Sequence, residues 1–226
     1  MSPNYLLFVQ ALNMKDYNSY FFDIDGTLID TTGIIFKSCQ KICLKYANYD
    51  PEFNFIAGLT GLPLDIVIAN CLDGKCDYDM EPVIQDYKDY QRTIYKEYLK
   101  VFPHVNHVLH QLKSRGKKIA AVTSRRQESL KPYLTFTDSL QYFDILVTPE
   151  MTSHHKPHPM PAIKAIELLE TTPDQCLFIG DSIFDIQCGQ KAGTDTAFVD
   201  WSFNDTDKLD EGPTYIISNM KDLLVN

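Results

Sequence analysis

From Phe102 to the C-terminus, short apolar runs alternate with helical patterns, and this alternation constrains the fold more than any other feature of the chain. The runs "KKIAAVTS", "FDILVTPE", "QCLFIGDS", "TDTAFVD" and "PTYIIS" read as strands. They are apolar at nearly every position, not at every second one, so both of their faces must be covered. Between them, "VNHVLHQLKSRG", "PHPMPAIKAIELLE" and "IFDIQCGQKAG" read as helices, with Gly116 and Gly193 as stops and prolines in the first turn of the second. "SLKPYLTFTDSL" reads as a helical or turning connection broken at Pro132, and "NMKDLLVN" as a short terminal helix. One further strand, "NSYFFDI" at 18–24, stands alone near the front. The expectation is an α/β fold: a Rossmann-like parallel sheet with helices on both faces.

The stretch from Thr32 to about Lys100 breaks the scheme. "GIIFKSCQKICLKYA", "LPLDIVIANCL" and "VIQDYKDYQRTIYKEYL" all have a period near 3.6, and no strand separates them. We read residues 32–100 as an inserted α-helical cap domain, and residues 1–31 with 101–226 as the core. The chain has 226 residues, enough for a sizeable core plus a small insert. Residues 1–17 precede the first strand and are expected to form an extra helix on the core or an interaction segment.

Composition excludes several classes of function. The formal net charge of −9 gives no long-range attraction to nucleic acid or to an anionic membrane surface. No run approaches the roughly 18 apolar residues of a membrane span. "MSPNYLLFVQALNM" lacks the basic start of a secretory signal, so the expected location is cytoplasmic. The six cysteines lack zinc-ligand spacing and are expected to be reduced and buried, with Cys71 and Cys76 the only tempting pair.

The polar residues that matter sit where strands end. The first strand closes on Asp23 and Asp25, with Gly26 and Thr27 after them; "KKIAAVTS" closes on Thr123 and Ser124. "QCLFIGDS" closes on Asp181, with Asp185 one helical turn later, and Lys156 stands just before a helix. In an open parallel sheet these ends share one edge, where ligands bind. Four carboxylates cannot remain ionised together without a cation, and hard oxygen donors select Mg2+. A lysine and a hydroxyl suit phosphoryl oxygens. One carboxylate is then placed to attack phosphorus and another to move protons.

"DIDGTLID", "VTS", the lysine before a helix and "GDSIFD" resemble, in order, the four motifs of the haloacid dehalogenase superfamily. The helical insert resembles the small cap of its phosphoglycolate phosphatase and beta-phosphoglucomutase branch. The resemblance implies a Mg2+-dependent phosphatase that hydrolyses a small phosphate monoester through an aspartyl-phosphate. It makes Asp23 the nucleophile and a metal ligand. Asp25 becomes the acid/base, ligating the metal through its backbone carbonyl. Thr123, with the backbone at Ser124, would hold the phosphoryl group, and Lys156 would neutralise its charge. Asp181 would ligate Mg2+, Asp185 would support it, and Gly26 and Thr27 would shape the nucleophile loop.

In the insert, "AGLTGLPLD" resembles that branch's substrate-facing loop. Gly58 and Gly61 there permit close backbone approach, and Thr60 is a candidate substrate contact. Arg125 is a candidate for a charge on the leaving group, while Arg92 reads as a solvated helix residue. The expected partner is a small phosphorylated metabolite acting on a monomer or homodimer. Alternatives are a phosphomutase, a pyrophosphatase or nucleoside monophosphate phosphatase, and, outside enzymes, a receiver-like phospho-acceptor domain. The aspartates on the first strand and the helical insert oppose the last.

Overall fold

A computed structural model describes residues 14–60, 62–72, 79–201 and 212–224. The segment "NYLLFVQALNM" therefore falls mostly outside the described residues, as do Gly61 and Cys76. The chain divides into two compact units, residues 1–28 with 101–226 and residues 29–100.

The first unit is built on β1 (Ser19–Phe22). Two short strands, β2 (Ile29–Asp30) and β3 (Lys100–Val101), pair in a ribbon of their own that the sequence does not announce. After the helix α5 (Val105–Ser114), to be joined below by four helices of the second unit, come β4 (Lys118–Val122), α6 (Gln127–Phe136), β5 (Ile145–Val147) and α7 (Met160–Leu169). Then follow β6 (Cys176–Gly180), α8 (Ile183–Lys191), β7 (Asp195–Val199) and β8 (Tyr215–Ile217). The large sheet has the order β5-β4-β1-β6-β7-β8, and every neighbouring pair is parallel.

Burial explains the absence of alternation in the strands. Phe21, Ala120, Val122, Cys176 and Phe178 occupy one face and pack with Ala162, Ala165 and Leu169 of α7 and Cys188 of α8. Tyr20, Phe22, Ile119, Ala121, Leu177 and Ile179 point the other way, because successive strand side chains alternate, and they are equally buried. The phenyl rings of Phe21 and Phe178 meet edge to face at 6.3 Å, a favoured aromatic geometry. A strand sealed on both sides has no solvent face to leave polar.

Pro132 does not break its segment. It lies inside α6, which runs on to Phe136 and buries Leu130, Tyr133 and Leu134. That apolar stripe outweighs the one backbone bond the proline cannot donate. The terminal "NMKDLLVN" narrows to a 3-10 turn over Met220–Leu223, capped by the Asn219 side chain.

The second unit is helical. Its members are α1 (Thr32–Ile42), continued by a π turn over Cys43–Ala47, and α2 (Phe53–Ala57), α3 (Leu64–Cys71) and α4 (Met80–Tyr98). Cys39, Ile42, Ile56, Val67, Ile68, Val83 and Tyr87 form its core. Cys39, Cys43, Cys71, Cys176 and Cys188 are free and buried, as a reduced chain requires. Gly58 has an ordinary right-handed backbone, so no turn there depends on glycine. Arg92 pairs with Asp89 on the exposed face of α4.

Candidate active site

Strand register assembles the site. Phe22 lies beside Ala121 of β4 and beside Ile179 of β6. The next residues along the three strands are Asp23, Val122 and Gly180, followed on the flanking strands by Thr123 and Asp181. Asp23 N–H still donates to the Ile179 carbonyl at 2.9 Å, and Thr123 N–H to Val147 at 3.2 Å, so the backbone is fixed up to the point where the polar side chains leave the sheet.

Lys156 ties the group together. Its Nζ lies 2.7 Å from Asp23 Oδ1 and 2.6 Å from Asp185 Oδ1. All three side chains are buried, with exposures of 5%, 7% and 1%. Asp23, Asp181 and Asp185 each offer an oxygen within 4.8 Å of the others, the kind of hard donor set that divalent cations take. Burial drives the Asp23 carboxyl well above its usual range; Lys156 opposes this, while Asp185, Asp181 and Asp25 add to it. Burial works against the Lys156 ammonium too, but Asp185 and Asp23 overcome it and hold the lysine above its ordinary value. One lysine among Asp23, Asp181 and Asp185 leaves that group short of positive charge.

Asp185 does more than face Lys156. Its Oδ2 accepts from Ser182 N–H at 3.1 Å and from Ser182 O–H at 2.6 Å, while Ser182 Oγ accepts from Asp185 N–H. This reciprocal cap opens α8 and locks the carboxylate. Two glycines give the acids room. A Cβ on Gly180 would sit 2.2 Å from Asp185 Cβ, and one on Gly26 would sit 2.2 Å from Asp181 Oδ2. Gly26 also has φ +82°, which a side chain tolerates poorly. Thr27 Oγ1 lies 3.4 Å from Asp181 Oδ1.

Thr123 Oγ1 accepts the Arg125 N–H at 3.1 Å, leaving its own proton for another acceptor. Ser124 and Lys156 line a small recess with Thr123, Thr148, Thr152 and His155. The buried hydroxyls of Thr148 and Thr152 have no partner there, and the sequence reading passed over both. Arg125, expected at a leaving group, instead grips Asp25: Nε lies 3.1 Å and 2.9 Å from the two oxygens, and Nη2 lies 2.7 Å from Oδ1. Asp23, Asp25, Gly26, Thr27, Thr123, Ser124, Arg125, Lys156, Asp181 and Asp185 thus all belong to the first unit. Thr60 belongs to the second, where its buried Oγ1 has no hydrogen-bond partner.

The profile of the haloacid dehalogenase-like hydrolase family matches residues 20–199. The chain belongs to this family. Similar members of the haloacid dehalogenase-like hydrolases include a protein of Caldanaerobacter subterraneus named "Putative pyrophosphatase PpaX", 36% identical over 90% of this chain and 91% of that one. Pyrophosphatase PpaX of Bacillus cereus is 30% identical over 92% of this chain and 94% of its own. Among solved structures, a predicted phosphoglycolate phosphatase of Haemophilus somnus shares the fold with a TM-score of 0.80 at 24% identity, covering 94% of this chain and 98% of that one. As a haloacid dehalogenase-like hydrolase with phosphatase-named relatives, the chain is a phosphatase. Among the described residues no helix is long and apolar enough to cross a membrane.

Proposed function

We propose that this hydrolase is a Mg2+-dependent phosphatase that cleaves a small phosphate monoester through an aspartyl-phosphate on Asp23. The observation that carries the reading is the buried lysine bridge. Lys156 joins Asp23 to Asp185, and Asp181 lies within 4.8 Å of both. Asp23 and Asp181, with the backbone carbonyl of Asp25, would hold the ion; both Asp185 oxygens are already engaged, so it supports the site through Lys156 and Ser182. The bound ion would neutralise the carboxylates and withdraw charge from the phosphoryl oxygens.

Thr123 O–H, Lys156 Nζ and the Ser124 backbone hold the phosphoryl group in line with Asp23. An Asp23 oxygen forms a bond to phosphorus as the bond to the leaving oxygen breaks, and Asp25 gives that oxygen its proton. Asp25 then takes a proton from water as the water oxygen attacks phosphorus, and the Asp23–phosphorus bond breaks. Phosphate leaves, and Asp23 is an ionised carboxylate again. Residues 32–100 are read as the family's specificity-bearing cap domain, with Thr60 its candidate substrate-contacting residue.

A second reading, pyrophosphate as substrate, is favoured by the name of the 36% identical relative. The test is release of inorganic phosphate from p-nitrophenyl phosphate and from pyrophosphate, each with Mg2+ or with a chelator. Multiple turnover with Mg2+, lost in Asp23→Asn, is the expected result. Near-normal turnover by Asp23→Asn refutes the nucleophile, and transfer without free phosphate would favour a mutase.

A further inference from the structure

The pairing of Arg125 with Asp25 has no part in the steps above, yet it is built with care on every side. Three N–H contacts of 3.1, 2.9 and 2.7 Å cover both carboxylate oxygens. The pair is largely enclosed, with side-chain exposures of 9% and 16%. Behind the guanidinium lies the Tyr133 ring, 4.3 Å from Cζ, and Nη1 reaches Ser129 Oγ at 3.4 Å. Ser129 and Tyr133 stand one turn apart on α6, so one face of that helix backs the arginine. In front, the Arg125 N–H is tied to Thr123 Oγ1. Stacking and planar bidentate pairing are properties of arginine that lysine does not share.

We propose that Arg125 is the positioning residue of Asp25: it fixes the carboxylate plane, and it hands over a single oxygen for proton transfer. This rests on the reading of Asp25 as the acid/base. The two oxygens are held unequally. Oδ1 accepts from Nε and Nη2, whereas Oδ2 accepts from Nε alone at 2.9 Å. Oδ2 is therefore the oxygen that exchanges the proton, while Oδ1 stays anchored. An aspartate has two rotatable side-chain bonds, and the clamp removes the freedom of both. Asp25 follows Phe22 by three residues and Arg125 follows its strand partner Ala121 by four, so the clamp hangs from the same register that builds the phosphoryl site.

The experiment compares wild type with Arg125→Lys, Arg125→Gln, Asp25→Asn and the Arg125→Gln/Asp25→Asn double variant. Substrates are a series of substituted phenyl phosphates with Mg2+, and thermal denaturation checks each fold. A misplacement of this kind lowers rate by up to roughly 100-fold. We expect kcat to fall about 10- to 100-fold in both single arginine variants, with KM changed by less than about 2-fold. The loss is largest for the poorest leaving groups, which most need the proton, so the dependence of rate on leaving-group acidity steepens. In the Asp25→Asn background, Arg125→Gln adds less than about a 2-fold loss, because the residues act as a unit. Losses that multiply, or an unchanged leaving-group dependence, overturn the positioning role while leaving the acid/base reading intact. A kcat kept at the wild-type value by Asp25→Asn overturns the acid/base reading, and the positioning role with it. Arg125→Lys separates geometry from charge: full activity in that variant also overturns the proposal.

Discussion

Replacing Lys156 by Met keeps the stem length, removes the ammonium, and strands the carboxylates it joins at 2.7 and 2.6 Å. Removing one partner of a buried ion pair typically costs about 3–5 kcal/mol, because the other charge stays in a low-dielectric site. The stranded group sets a ceiling on that figure. Asp23 can take up a proton instead, and from an ordinary value near 4 that costs about 4 kcal/mol at about pH 7. A loss of about 4 kcal/mol lowers the melting temperature by roughly 8–16 °C for a chain of this length. The pH dependence follows from the same source. Without Lys156, burial and the neighbouring acids hold Asp23 still further above its unfolded value. The unfolded chain then releases the proton more readily, so the penalty grows as pH rises and shrinks as it falls. Between about pH 7 and about pH 5 the deficit should narrow, by at most about 2.7 kcal/mol, the limit for a difference of one whole proton between the two folded proteins. Urea unfolding of both proteins at the two pH values, with chelator present, measures this directly. A variant as stable as wild type, or a deficit that ignores pH, would refute the charge balance inferred for the site.

Gly26→Ala should cost about 1–2 kcal/mol from the left-handed backbone alone. It should also displace Asp181, whose Oδ2 lies 2.2 Å from the added carbon, so the Mg2+ concentration for half-maximal p-nitrophenyl phosphate hydrolysis should rise; an unchanged titration counts against Asp181 as a ligand. The buried thiols should resist alkylation in the native chain, since burial holds Cys176 at about 11 and Cys188 at about 12, and contacts with Cys39 and burial hold Cys71 at about 12. Peptide mapping after brief labelling should find these three unmodified until denaturant is added, and rapid native labelling of any of them contradicts their burial.

The sheet was legible because its strands have no polar side, and the site was legible because its polar residues follow those strands at once. Asp23, Thr123 and Asp181 each stand within three residues of a buried pair of strand partners. Other features had no such signature. A two-residue ribbon such as β2–β3 is too short to show a period. Pro132 reads as a break because the local rule is strong, yet the buried stripe of α6 overrides it. Arg125 looked like a free cation because its partner is 100 residues away in sequence. The register that brings them together existed only once the order of the strands was known. Thr148 sits in a run that reads as a strand and Thr152 carries no sequence signal, and only burial without a partner sets them apart.

The central place of β1 has a consequence for biosynthesis. On the ribosome, "SYFF" leaves the tunnel with no neighbour along either edge, since its partners are Lys118–Ala121 and Cys176–Ile179. At roughly 5–20 residues per second, the nascent strand waits on the order of ten seconds or more for the second of them. During that interval residues 29–100 emerge as a unit with their own core. A greasy, half-made ribbon tethered to a finished bundle is the species that holdase chaperones must shield, and truncation anywhere before Cys176 would leave it permanently adhesive.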